Sequence, residues 1–164
     1  MAYNVLEVCR HIINFCNEKE YSISNLKLQK ILYFVQAFFL ISFNGERKCF
    51  NEKIEAWDFG PVVQEAYHEF KQYGSGNIPA IKSYLDYDDV DDIWSMKRVP
   101  FKDNIITQND KKLIDDVVEQ FANYSATSLV SLTHNQAPWV NAYEPHKNNE
   151  ITKESIMEYF NSER

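Results

Sequence analysis

A chain of 164 residues is long enough to take roughly two-thirds of its unfolded surface out of water as one domain. Its 45 % hydrophobic share, with 11 Phe, 10 Tyr and 3 Trp against only 4 Gly and 5 Pro, excludes a disordered or fibrous chain. The formal charge of −7 is uneven: residues 1–50 carry six basic and four acidic side chains, a net of +2, and residues 51–164 carry eleven basic and twenty acidic ones, a net of −9. Such a field repels phosphate backbones, which disfavours nucleic acid as a partner. The three cysteines, Cys9, Cys16 and Cys49, form no CxxC or Cys/His cluster, and no basic-then-apolar leader pattern is present, so a reducing cytoplasm is the expected compartment. The most apolar window, 31–43, is 13 residues with Gln36 inside it, short of the roughly 18 needed to cross a bilayer, so no membrane association is expected.

In chain order, Val5, Cys9, Ile12 and Cys16 recur at helical spacing and predict a first amphipathic helix over 3–16. Ser24 is placed to cap a second helix from Asn25 to about Phe43, closed by Asn44-Gly45. Its apolar residues spill beyond one stripe, as a central helix requires. Lys53-Ile54-Glu55-Ala56 alternates like a half-exposed strand, with 104–107 as its expected partner. Pro61 fits a first helical position, where its missing N–H costs nothing, and predicts a helix over Val62, Val63, Ala66, Tyr67 and Phe70 that Gly74 ends.

Breakers at 74–79 and five carboxylates within Asp86–Asp92 mark an irregular middle. Thr107 then caps a helix carrying Leu113, Ile114, Val117, Val118, Phe121 and Tyr124. Ser125 caps a shorter one with Leu129 and Leu132, Pro138-Trp139 opens another, and a last helix over 153–161 buries Ile156, Tyr159 and Phe160. The expected architecture is mainly α (α+β): one domain over 1–164, six to seven helices around a central aromatic-rich helix, with a small β-hairpin or short sheet.

Candidate chemistry is sparse. His68 lies between Tyr67 and Glu69 on a helix, His134 precedes the Gln136-Ala137-Pro138-Trp139 turn, and His11 and His146 have no acidic or cysteine neighbours at metal-ligand spacing; surface or hydrogen-bonded histidines account for all four. Cys9 and Cys16 lie two helical turns apart on an apolar face and read as core filling. The 86–92 run lacks the central Gly and terminal Glu of a calcium loop, leaving a solvated acidic segment or a landing site for a basic partner. Gly74-x-Gly76 lacks the Lys-Ser/Thr of a phosphate cradle. No catalytic set, cofactor or metal is therefore assigned. The rings of Trp57, Phe59, Tyr67, Tyr73 and Trp139 remain, either core aromatics or an interface, since Trp and Tyr bury large areas with few rotors to freeze.

Three blocks stand out: LKLQKILYFVQ at 26–36, FNEKIEAWDFGPVVQEAYHEFKQYG at 50–74 and SATSLVSLTHNQAPW at 125–139. In content and order they resemble the Panacea domain of SocA-like antitoxins, over about Leu26 to Ala142. That family more often carries Tyr at the place of Phe59, Pro at Gln64 and Glu at Gln136. The resemblance implies an antitoxin, on a phage or mobile element or in a bacterium, that neutralises a protein toxin encoded nearby by direct, chaperone-like binding. It also allows an adaptor that hands a bound toxin to a cytoplasmic protease, or a regulator of its own operon. It names neither the toxin nor an oligomeric state. Carried over residue by residue, contact or site-shaping roles fall on Trp57, Gly60, Pro61, Tyr67, His134 and Trp139, with Gly60 and Pro61 setting the corner.

Overall fold

The computed structural model describes residues 1–87, 94 and 96–162. Helix α1 (Val5–Glu18) starts where the Asn4 side chain accepts the Leu6 amide, and α2 (Asn25–Ser42) where the Ser24 hydroxyl accepts the Lys27 amide. Each cap satisfies a donor that the first helical turn leaves open. Fourteen of the 18 residues of α2 are buried, so its lack of a single apolar stripe reflects neighbours on all sides. Its one polar interruption in the apolar window, Gln36, is tied to the following segment at both ends: Oε1 accepts the Cys49 and Phe50 amides and Nε2 donates to the Phe50 carbonyl.

Strand β1 (Ile54–Trp57) pairs antiparallel with β2 (Gly60–Val62) on one side and β5 (Glu150–Ile151) on the other. Two sequence expectations are corrected here. Residues 104–107 form no strand; they lead into α4 (Gln108–Phe121), whose cap is Thr107, and the Lys111 ammonium folds back onto Asp103. Pro61 lies not at a helix start but in edge strand β2, opposite Ala56, where a residue without an N–H leaves no ladder bond unmade. Helix α3 (Gln64–Phe70) begins beyond it, with Val63 at its N-cap and a 3₁₀ turn, Lys71–Tyr73, before Gly74.

A separate hairpin, β3 (Ser83–Tyr87) and β4 (Met96–Pro100), is fixed at its base, where the Arg10 guanidinium lies 3.4 Å from the Tyr84 ring centre and Asn14 bonds both backbone groups of Ile81. The acidic run enters this hairpin at Asp86, and residues 88–92 lie outside the described ones.

Helices α5 (Ala126–His134), α6 (Ala137–Ala142) and α7 (Lys153–Ser162) complete the chain. Seven α-helices are present among the described residues, and α2 packs against α1, α3, α4, α5 and α7. The rings of Phe34 and Phe121 stack 4.2 Å apart across α2 and α4. Arg47 and the Tyr3 hydroxyl both reach Asp110, and the guanidinium holds that carboxyl below its ordinary range. Four positions are less covered than the sequence pattern predicts. Tyr124 falls beyond α4 and is exposed, Leu132 is on the exposed side of its helix, and Tyr159 and Phe160 are half-buried. Among the described residues no helix is long and apolar enough to cross a membrane.

Candidate functional site

The β1–β2 turn is the point on which the three sequence blocks converge. Trp57 pairs with Gly60 across it, leaving Asp58 and Phe59 at the tip. Gly60 has φ +106°, and a Cβ there would come 2.6 Å from Lys30 Cε and 2.9 Å from Thr133 Oγ1. Both the left-handed backbone and the close approach demand glycine. The space is filled instead by the Lys30 chain, whose ammonium donates to the Pro61 carbonyl at 3.2 Å. Lys30 is wholly buried, and burial pushes its ammonium down to about 7.

The 125–139 block forms a splint behind the turn. Trp139 Nε1 donates to the Trp57 carbonyl at 2.8 Å, and His134 Nε2 is 2.9 Å from the Asp58 carbonyl, which makes that nitrogen the protonated one. The rings of His134 and Trp139 stack at 4.1 Å and those of Trp139 and Tyr143 at 4.5 Å. Tyr143 closes the set by donating to Asp58 Oδ1, a bond that raises the phenol above its ordinary range. Gln136 is buried and its Oε1 accepts the Tyr33 hydroxyl at 2.8 Å.

In front of the turn, the 26–36 block supplies a floor. Gln29 Oε1 accepts the Val63 amide at 3.0 Å, Gln29 Nε2 donates to Asn25 Oδ1 at 2.9 Å, and Asn25 Nδ2 donates to the Tyr67 carbonyl at 3.0 Å. These bonds join α2 to the start of α3. Trp57 and Tyr67 meet edge to face at 5.1 Å, and Trp57 Nε1 donates to Glu55. Together they bound an open cleft of about 510 Å³, whose apolar walls are Leu26, Trp57, Phe59, Val62 and Tyr67. Phe59 is 66 % exposed, a large ring held outward on a rigid turn.

Of the six residues singled out from sequence, Trp57 and Tyr67 line this cleft. Gly60, Pro61, His134 and Trp139 stand behind it and fix the turn. Sequence reasoning gave no role to Asn25, Gln29 or Lys30, although polar residues at i, i+4 and i+5 on an otherwise apolar helix were the available signal. Tyr143 and the far lip at 146–148 carried none.

Of the other histidines, His11 and His68 sit away from the cleft and His146 is on its far lip. His11 is 2.7 Å from Asp115, His68 is exposed beside the Tyr67 ring, and His146 is exposed with φ +64°. Cys9, Cys16 and Cys49 are buried, and burial pushes all three thiols up. Among the described residues no group of three His, Cys, Asp or Glu could hold a metal ion.

Residues 28–140 match the family described as antitoxin SocA-like, Panacea domain. The chain belongs to that family. It is 35 % identical over 123 residues to the protein named antitoxin SocA from Caulobacter vibrioides (strain NA1000 / CB15N), an alignment covering 71 % of this chain. The chain spans 58 % of that relative's length. No solved structure matches it. The family match takes in the floor residues Gln29 and Lys30, the whole turn and the splint as far as Trp139, while Asn25, Leu26, Tyr143 and the lip at 146–148 lie outside it.

Proposed function

We propose that this chain is an antitoxin that keeps a genetically linked protein toxin inactive by binding it directly, in a chaperone-like way, over the Trp57–Tyr67 surface. One observation carries the proposal: three segments distant in sequence direct their polar side chains to making one aromatic turn rigid. A preformed surface loses little freedom on association, so more of its contact energy appears as affinity. Trp57, Tyr67 and Phe59 are the contact residues, and Gly60, Pro61, His134 and Trp139 hold them in place. The working unit is one domain spanning 1–164, acting without catalysis in the cytoplasm.

Coexpression tests this. The product of the adjacent reading frame should arrest growth alone, be rescued by this protein, and remain on it through a pull-down. A frame product that is harmless alone or is not retained removes the proposal. Steady toxin levels with and without this protein, alongside rescue, separate sequestration from delivery to a protease.

A further inference from the structure

The lip of the cleft differs in charge from the molecule around it. The chain carries −7 overall and residues 51–164 carry −9, yet the charged side chains lining this cleft are Lys71, Lys147 and Asp58, with His146 beside them. Asp58 is engaged by Tyr143. Lys71 is exposed in the 3₁₀ turn after α3, and its side chain takes no hydrogen bond or ion pair among the described residues. Lys147 meets Glu144 at 3.2 Å, but both side chains are more than half exposed, and such a pair holds its partners weakly. An aromatic trough edged by two available ammonium groups thus sits on an acidic protein.

We infer that the cleft receives an acidic peptide segment: an apolar or aromatic side chain enters between Trp57, Phe59 and Tyr67, while flanking carboxylates of the segment meet Lys71 and Lys147. The volume of about 510 Å³ suits one or two side chains and their backbone. The segment's partner selection follows from charge. Basic segments are repelled at the lip itself, and acidic ones are repelled by the rest of the surface, so an acidic segment is favoured only where it also fills the trough. This inference takes the segment's owner, the toxin, from the proposed function; the binding chemistry stands apart from it.

The test uses defined peptides and the full chain. An acetylated, amidated hexapeptide Asp-Glu-Phe-Leu-Glu-Asp is titrated at low salt while the Trp57 indole N–H is followed by NMR, beside Lys-Arg-Phe-Leu-Arg-Lys and Asp-Glu-Ser-Ser-Glu-Asp. The acidic apolar peptide should move that signal, and the other two should bind about tenfold more weakly or not at all. The double variant K71E/K147E, with spectra otherwise unchanged, should weaken the acidic peptide about tenfold, and K71M/K147M by less. Equal binding of acidic and basic peptides, an unmoved indole signal, or an affinity indifferent to charge reversal overturns the inference. In coexpression, K71E/K147E that still rescues as well as wild type overturns the lip's role and leaves the antitoxin proposal standing. Wild-type chain that fails to rescue but binds the acidic peptide removes the antitoxin proposal and leaves the lip.

Discussion

Replacing Lys30 by methionine isolates the cost of one buried charge. The side chain keeps its length, so little cavity is created, but the ammonium is gone. Burial alone takes that ammonium from its ordinary 10.5 to about 7 in the folded chain, with no acidic group offsetting it. Below pH 7 the group is charged in both folded and unfolded chains, so the whole cost is present, about 5 kcal/mol at roughly 1.4 kcal/mol per unit. Between pH 7 and 10.5 the unfolded chain binds more protons than the folded one, and stability therefore rises with pH. By pH 9 the remaining cost is about 2 kcal/mol. Wild type should thus gain about 3 kcal/mol on K30M between pH 6 and pH 9. The variant also loses the bond to the Pro61 carbonyl, a penalty of about 1–2 kcal/mol that does not depend on pH and shifts the difference curve without changing its slope. Urea unfolding of both proteins at pH 6, 7, 8 and 9, compared as differences, cancels the titration of every other group. A difference that stays flat over that range would mean that the ammonium is compensated, and the account of Lys30 as an unpaired buried cation would be wrong.

Two further substitutions probe the turn. Gly60→Ala combines a left-handed backbone with approaches of 2.6 and 2.9 Å and should cost about 2–4 kcal/mol in urea unfolding. Gly74→Ala, at φ +55° with nothing within 4 Å, should cost about 1–2 kcal/mol, and equal losses at the two sites would deny the packing role of Gly60. Trp139→Phe keeps a stacked ring but strands the Trp57 carbonyl, at about 1–2 kcal/mol. Its distinguishing readout is amide exchange, which should quicken at 58–60 and stay unchanged in α4. Uniform quickening would show a general loss of stability in place of a local splint.

Much of the helical framework is legible in local sequence. Ser24, Thr107 and Ser125 cap the helices that their hydroxyls predict, because capping needs only a short polar side chain and the next three amides. The breadth of the apolar surface on α2 likewise announces a central helix. Strand partners are less legible: β1 pairs with β2 and β5, five and about ninety-five residues along, and nothing in the two-residue run Glu150-Ile151 marks a strand. Pro61 is the clearest ambiguity. A proline suits a first helical turn and an edge strand equally, since each place lacks a required N–H, and only the pairing of Ala56 with Pro61 decides between them.

Sequence by itself determined the helices, the aromatic surplus, the acidic imbalance and the three blocks by which the family is recognised, since each is written in neighbouring residues or in sums over the chain. Tertiary structure alone decided what those blocks do together. Lys30, Gly60 and Thr133 become meaningful only when a missing Cβ is seen to make room for a lysine chain from another element. Likewise, a net of −9 over residues 51–164 gives no hint that Lys71 and Lys147 share one lip. Summed charge carries no positions, and an electrostatic field is set by distance, which the fold supplies.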